Sequence, residues 1–297
     1  MSSVLCVGIA VLDYVFAVET MPRSAEKHRA RDLAVVGGGI AANAAVAVAR
    51  LGGRAALATR LGDDATGRAI VAELEGEGVD CSPSRLFQGR RSPTSAIFVD
   101  QAGERLVMSY ADPAIPADPS WLPAALPAGT RAVLGDTRWG KGAAHLFRLA
   151  RQAGAFAVLD GDRKPNPPEL VELATHVAFS EQGLTEVTGI ADPEQGLRSL
   201  ASTSANWLAV TVGERGVYFT DNGAVVHEPA FRVETVDTLA AGDVWHGAFA
   251  LALAEGMRER ESVRFASAVS ALKCTRFGGR AGIPRRAEVE AFLQERG

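Results

Sequence analysis

Short apolar runs alternate along the chain with longer, alanine-rich stretches. "SVLCVGIAV", "RAVLGD", "AFAVLDGD", "HVAFSE" and "WLAVTVG" are continuous apolar runs bounded by glycine or charge, the pattern of strands buried on both faces. "NAAVAVARLG", "GRAIVAELEGEGV", "GAAHLFRLARQAG" and "PPELVELA" fall between such runs and predict helices. Strands alternating with crossover helices predict an α/β fold, a mainly parallel sheet flanked by helices. The series ends in two helices, "VWHGAFALALAEG" and "ESVRFASAVSALKCTRFG".

Two segments break the alternation. Residues from about 13 to 36 and from about 93 to 110 are β-rich, the second with a hairpin turn at "DQAGE". They predict a small accessory sheet, a lid inserted in a single unit that spans 1–297. The proline-rich "DPAIPADPSWLPAALP" is too short and too apolar to link independent domains.

With 297 residues, 47% of them hydrophobic, the chain can bury a substantial core. Its net charge of -4 supplies no sequence-wide basic field, which argues against nucleic acid as a partner. Cys6, Cys81 and Cys274 are odd in number and widely spaced, so neither a disulfide framework nor a metal site is indicated, and a cytoplasmic location fits best. The apolar N-terminus lacks a basic leader and is interrupted by Asp13, as a buried first strand would be. No run approaches the roughly 20 apolar residues of a membrane span, so no membrane partner is expected.

Candidate chemistry concentrates in "VDTLAAGDVWHGAF", residues 236–249. Asp243 stands behind Ala240, Ala241 and Gly242 at the start of an apolar helix. Small residues allow a ligand close to the backbone, and unpaired N–H groups at a helix start suit an anion. A plain helix cap is the commoner reason for an Asp there. In "VVGGGIAANAAVAVARLGG", Gly37, Gly38 and Gly39 precede a helix expected near Ala41, without the GxGxxG spacing of a dinucleotide site. Asn43 on its first turn can bond a polyol or a local backbone group. Asp13, directly after the first strand, lies where open α/β sheets bind ligands and can accept bonds from sugar hydroxyls.

Thr211, Gly213 and Gly216 form TxGxxG between two strands, which suits a nucleotide phosphate or simply a tight hairpin. "GDTRW" and "LDGDRK" end strands with Asp136, Arg138, Asp160, Asp162 and Arg163, and Arg138 can grip an anion with two bonds. His246 either packs within its helix or lines the site. HExxH, CxxC, GxSxG and GxxxxGK[ST] are all absent, which argues against a zinc protease, an α/β-hydrolase or a P-loop enzyme.

In this order, Asp13, the glycines with Asn43, the lid hairpin, TxGxxG and "DTLAAGD" resemble the ribokinase family of sugar kinases, also called the phosphofructokinase-B type, over essentially the whole chain. The resemblance implies a three-layer ribokinase-like α/β fold with a β lid. It also implies ATP and Mg2+ as cofactors, with a monovalent cation as a further candidate, and the exposed strand edges of such a lid make a homodimer through it the expectation. From the family signature DTxGAGD, it makes Asp243 the catalytic base and the amides of Ala240, Ala241 and Gly242 an anion hole. Sugar would be held by Asp13, Gly38, Gly39 and Asn43, and nucleotide by Ser180, Glu181, Thr211, Gly213, Gly216, Ser267 and Gly279.

Within the family, "RWGKGA", "LARQAG", "VLDGD", "AFSE", "DVWHGA" and "ESVRFASAVSALKCTRFGGRAGIP" are similar to sulfofructose kinases. That similarity implies phosphoryl transfer to C1 of 6-deoxy-6-sulfofructose, with Lys27 and Arg138 gripping the sulfonate. Ribose, fructose, 2-keto-3-deoxygluconate and nucleosides are the alternative acceptors. A catalytically weak sugar- or nucleotide-binding regulator is the alternative of another class. Three departures bear on these readings. Ser109 stands where the subgroup is expected to carry Asn, and "SEQG", residues 180–183, replaces the family's NxxE element tied to magnesium and phosphate. Leu239 and Ala240 replace a small polar residue and a glycine. Ala240 is therefore expected at negative φ, because a Cβ at positive φ is costly.

Overall fold

A computed structural model describes residues 2–102 and 104–296. In β1 (Ser3–Val7), Val4 and Cys6 enter one apolar cluster and Leu5 and Val7 another, and all four are buried. A strand with two apolar faces requires a helical layer on each. The apolar run does not continue as one strand, however. It breaks at residues 8–10, and β2 (Val11–Ala17) leaves the body to pair antiparallel with β3 (Asp32–Gly38). Asp13 thus lies inside a lid strand and not at the carboxyl end of the first body strand, a correction to the sequence expectation. After Asp13 every residue of β2 is only half-buried, unlike the fully buried run of β1.

The chain returns through α1 (Ile40–Arg50), β4 (Arg54–Ala58), β5 (Arg60–Gly62), α2 (Ala65–Gly76), β6 (Val79–Asp80) and β7 (Arg85–Phe87). The second excursion is the hairpin of β8 (Thr94–Val99) and β9 (Arg105–Tyr110), as expected; Gly103 in its turn lies outside the described residues. Then come β10 (Thr130–Asp136), α3 (Gly140–Ala153), β11 (Phe156–Gly161), α4 (Leu170–Leu173), β12 (His176–Ser180), α5 (Glu181–Thr188) and α6 (Pro193–Ala201). The last elements are β13 (Trp207–Thr211), β14 (Val217–Asp221), β15 (Ala224–Glu228), α7 (Ala241–Ala254), α8 (Glu259–Cys274) and α9 (Arg286–Arg296).

The body sheet runs β15-β14-β13-β12-β11-β10-β1-β4-β6, parallel except for the β14–β15 hairpin at one edge. The lid sheet runs β3-β2-β8-β9. One face of the body packs against α1, α2, α7 and α8, and the other against α3, α5 and α6. The third C-terminal helix, α9, was not expected. Only its Val289 and Phe292 are buried, too few to impose a readable helical stripe on "RAEVEAFLQER".

The helices α1 and α7 cross at the centre. Every residue of α7 from Val244 to Ala254 is buried, as is every residue of α1 from Ala41 to Val48. Their approach is so close that a Cβ on Gly247 would lie 2.5 Å from the carbonyl oxygen of Ala44. Alanine and glycine therefore serve here to bring two backbones together, and with them the side chains at the helix starts.

Candidate active site

Asp243 is the third residue of α7, whose N-cap is Ala240, so it does not cap the helix. The helix has no side-chain cap, and the amides of Gly242 and Asp243 find no acceptor among the described residues. Ala241 N–H does find one, the Thr238 carbonyl oxygen at 3.2 Å. Of the set implied by the family signature, Ala240 and Gly242 keep open amides and Ala241 does not, and the amide of Asp243 is open as well. Nothing lies within 4 Å of where a Gly242 Cβ would stand, so the helix start faces open space and carries the partial positive charge of the helix dipole.

Contrary to expectation, Ala240 adopts φ 63° and ψ 11°. This left-handed conformation costs an alanine about 1–2 kcal/mol and persists where its surroundings fix it. The fixing group is the Asp237 carboxylate, which accepts from Leu239 N–H at 2.9 Å, Gly278 N–H at 3.1 Å and Gly279 N–H at 3.0 Å. Gly279, assigned to nucleotide from the sequence, instead supports this turn.

The Asp243 carboxylate accepts a 2.7 Å bond from Asn43 Nδ2. Arg280, buried beneath, donates Nε–H to Asn43 Oδ1 at 3.1 Å and Nη2–H to the Gly38 carbonyl oxygen at 3.2 Å, and pairs through Nη1 with Glu73. Because a guanidinium only donates, the Asn43 atom facing it must be oxygen, which turns the amide nitrogen toward Asp243. Asn43 therefore orients the carboxylate rather than standing free for a polyol. Burial pushes the Asp243 carboxyl above its ordinary pKa, while the Asn43 bond and the nearby His246 and Arg280 pull it back. Arg280 escaped the sequence reading, although "GGRAGIP" contains it, because nothing local distinguishes an arginine 237 residues from its partner Asn43.

Below Asp243 lies a second buried pair. His246 Nδ1 is 3.0 Å from Asp160 Oδ2 and 2.8 Å from the Gly242 carbonyl oxygen, and Nε2 is 3.0 Å from that of Ala178. His246 thus packs against the site floor rather than lining the opening. Burial, followed by the charges of Asp243, Asp162 and Asp136, drives the Asp160 carboxyl well above its ordinary pKa.

On one side of Asp243 is the lid. Strand register aligns Val36, Asp13, Ser95 and Ser109 across its four strands, which places these side chains on one face. Asp13 is buried, bonded to Ser95, and raised in pKa by burial despite that bond. A Cβ on Gly38 would overlap its carboxylate, and Gly39 at φ 96° packs on Ile9 and Ala10. The two glycines hold Asp13 and the lid root together. Ser95 was missed by the sequence reading, since only pairing with Asp13 reveals it.

On the other side is a cleft of about 990 Å³ lined by Thr211, Gly213, Gly216, Thr238, Ala241, Gly242, Trp245 and Ser267, among others. Six of the predicted nucleotide and anion-hole residues meet here, among them Ser267, which accepts a 3.3 Å bond from Trp245 Nε1. Ser180 and Glu181 do not line it. Ser180 Oγ caps α5 by accepting from Gly183 N–H at 3.0 Å, and Glu181 pairs with Arg215 at 2.6 Å. Arg138 pairs with Asp162, and Lys27 is exposed on the loop between β2 and β3 with no partner among the described residues. Among the described residues, no hydrogen bond or ion pair joins Lys27, Ser109 and Arg138.

Among the described residues, no group of three or more His, Cys, Asp or Glu could hold a metal by itself. Asp136, Asp160 and Asp162 at the strand ends and Asp243 at the start of α7 influence one another, but Asp136 and Asp160 are buried and raised in pKa, so a magnesium ion would have to arrive with the nucleotide rather than sit in a carboxylate cage. At the turn beside the anion hole, the Asp237 carboxylate accepts three amide bonds and pairs with Arg105 at 2.7 Å and Lys273 at 3.3 Å, which leaves it no free oxygen for a monovalent cation. No helix is long and apolar enough to cross a membrane among the described residues.

Residues 1–286 match the profile of the pfkB family carbohydrate kinases. The ribokinase of Bacillus subtilis is 27% identical over 99% of this chain and 100% of its own length. Fructokinase-1 of Zea mays is 31% identical over 87% of this chain and 88% of its own. The crystal structure of a candidate ribokinase from Agrobacterium tumefaciens superposes with a TM-score of 0.90 and 41% identity, covering 99% of this chain and 98% of that one.

Proposed function

The chain belongs to the pfkB family of carbohydrate kinases and is a sugar kinase, and on that premise we propose that it transfers the γ-phosphoryl group of ATP to a primary hydroxyl of a furanose-like sugar. The observation that carries this reading is the position of Asp243. It stands between the polar face of the lid and the cleft at the start of α7, bonded to Asn43 and beside two open amides. Sugar hydroxyls would donate to Asp13, with Ser95 and Ser109 beside it in the same row. Nucleotide would lie along Thr211, Gly213, Gly216 and Ser267, its phosphates at Gly242.

Asp243 takes the proton of the acceptor hydroxyl. The open amides of Gly242 and Asp243 bind the charge on the phosphoryl group as it passes between oxygens. Magnesium brought with the nucleotide would offset phosphate charge, with Asp162 the strand-end carboxylate open enough to bond its water shell. The lid covers the sugar and excludes water. Asp243→Asn should abolish sugar-dependent ADP release while leaving sugar affinity largely intact by calorimetry; normal turnover in that variant would sink the mechanism.

For the acceptor we propose 6-deoxy-6-sulfofructose phosphorylated at C1, with Arg138 and Lys27 as the cations for its sulfonate. The motif likeness supports this, as does the exposure of both cations. The ion pair of Arg138 with Asp162 favours a neutral acceptor instead, fructose or ribose. Kinetics of wild type and Arg138→Ala on both sugar classes separate the two. A selective loss on the sulfonated sugar supports the anionic acceptor, and an equal loss on both rejects it.

We also propose a homodimer through the lid. Register sets Leu33, Val35, Leu106, Met108 and Tyr110 on the lid face opposite Asp13, and all five are exposed, Met108 by 68%.

A further inference from the structure

The turn before α7 carries an unusual concentration of protein cations. Lys273, near the end of α8, has a side chain that is 0% exposed, and its Nζ donates to the Asp237 carbonyl oxygen at 2.8 Å while lying 3.3 Å from Asp237 Oδ2. A buried ammonium is retained only where a specific charge and oxygen ligands hold it. Here the ligands are the main-chain and side-chain oxygens of the residue that fixes Ala240 in its left-handed conformation. A second cation comes from the lid, because Arg105 on β9 reaches Asp237 Oδ1 at 2.7 Å. A carboxylate offers about four lone-pair sites. Leu239 N–H and Arg105 occupy Oδ1, and Gly278 N–H and Gly279 N–H occupy Oδ2. No oxygen of Asp237 is left for an added ion, and that ion would meet the Lys273 ammonium at close range.

We propose that Lys273 is the resident cation of the anion-hole turn, a positioning residue that supplies from the chain itself the charge and oxygen bridging an alkali ion would give, so that the enzyme needs no potassium. Its ammonium ties the main chain at Asp237 to α8 and sets the geometry in which Ala240 presents the amides of Gly242 and Asp243. The proposal rests on the kinase reading, because only that reading gives the turn an anion to bind.

The test compares the full-length protein in potassium, sodium and tetramethylammonium chloride at equal ionic strength. Turnover is measured on whichever sugar of the panel is phosphorylated, alongside thermal unfolding. The expected result is turnover within about twofold in all three salts and no potassium-specific rise in Tm, since an ion bound only to the folded state would raise it. Lys273→Ala, which leaves room for a small cation, should lose about 100-fold in kcat, the scale of losing one anion-hole donor. Ammonium or potassium should restore part of that loss, and tetramethylammonium, too large to enter, should not.

Potassium-dependent turnover or Tm in the wild type overturns the proposal. So does a folded Lys273→Ala variant that keeps full activity, or that no small cation restores. If that variant does not fold, the wild-type salt comparison decides alone. An enzyme that phosphorylates no sugar in any salt would instead count against the kinase reading, which keeps the two failures apart.

Discussion

Replacing Arg280 by Met tests whether the Asp243 carboxylate, the proposed base, is set by the network behind it. Met keeps much of the aliphatic volume and removes the guanidinium. Asn43 Oδ1 and the Gly38 carbonyl oxygen then lose donors at 3.1 and 3.2 Å in a buried setting, and Glu73 loses its partner. A stranded buried polar group costs about 1–3 kcal/mol. Glu73 is 38% exposed and regains water, so its share is small. The sum is about 2–6 kcal/mol, a fall in Tm of roughly 3–10 °C for a chain of this size. Freed from Arg280, the Asn43 amide can rotate away from Asp243, and kcat/KM should drop about 10- to 100-fold.

The sign of the pH effect follows from the charges around Asp243. Its carboxyl is already raised by burial, and Arg280 is one of the groups pulling it down. Without that charge it rises further, so the acid limb of the kcat/KM profile moves to higher pH. Steady-state kinetics across the acid range at a temperature well below the variant's Tm would show this. A Tm that falls while the acid limb stays in place would mean that Arg280 only holds the fold, refuting the positioning role.

Two further outcomes are expected. His176, buried among Phe156, Trp207 and Phe249, is lowered by burial from 6.5 to about 4, so the unfolded chain binds the extra proton between those values and stability is lost as pH falls from 6.5 toward 4. His176→Phe should remove up to about 3 kcal/mol of that loss, read from urea unfolding at pH 7 and pH 4.5; an unchanged pH dependence would contradict it. Met108→Glu on the outer lid face should convert a dimer to monomer in sedimentation runs at micromolar concentration, and an unaltered mass would count against lid pairing.

Much of this architecture could be read from the chain because parallel strands buried on both faces leave unbroken apolar runs, and β1, β10, β11, β12 and β13 each do. The lid was legible through the polar positions in its strands. Its root was misplaced because β1 and β2 are separated by only three residues, 8–10, with no charge to mark the break. At the site, residues named by local motif, Asp13, Asn43, Asp243 and Thr211, do converge. What local pattern could not show was pairing across distance. Arg280 with Asn43, Lys273 with Asp237 and Ser95 with Asp13 all depend on tertiary register. The φ of Ala240 went the other way from steric expectation because the bonds at Asp237 outweigh a strain of about 1–2 kcal/mol.

The close crossing of α1 and α7 has a consequence for how such a protein can change over generations. Asn43 and Asp243 ride on helices whose contact is backbone against backbone, with Gly247 set on Ala44. A gain of even one methyl group there would force Asn43 and Asp243 apart, so the centre has little room for substitution. Leu33, Val35, Leu106, Met108 and Tyr110 on the outer lid face, and the side chain of Arg138, are exposed and under no such constraint. Substitutions on that rim can therefore be tolerated while the contact of Asn43 with Asp243, 2.7 Å, stays set by the helix crossing.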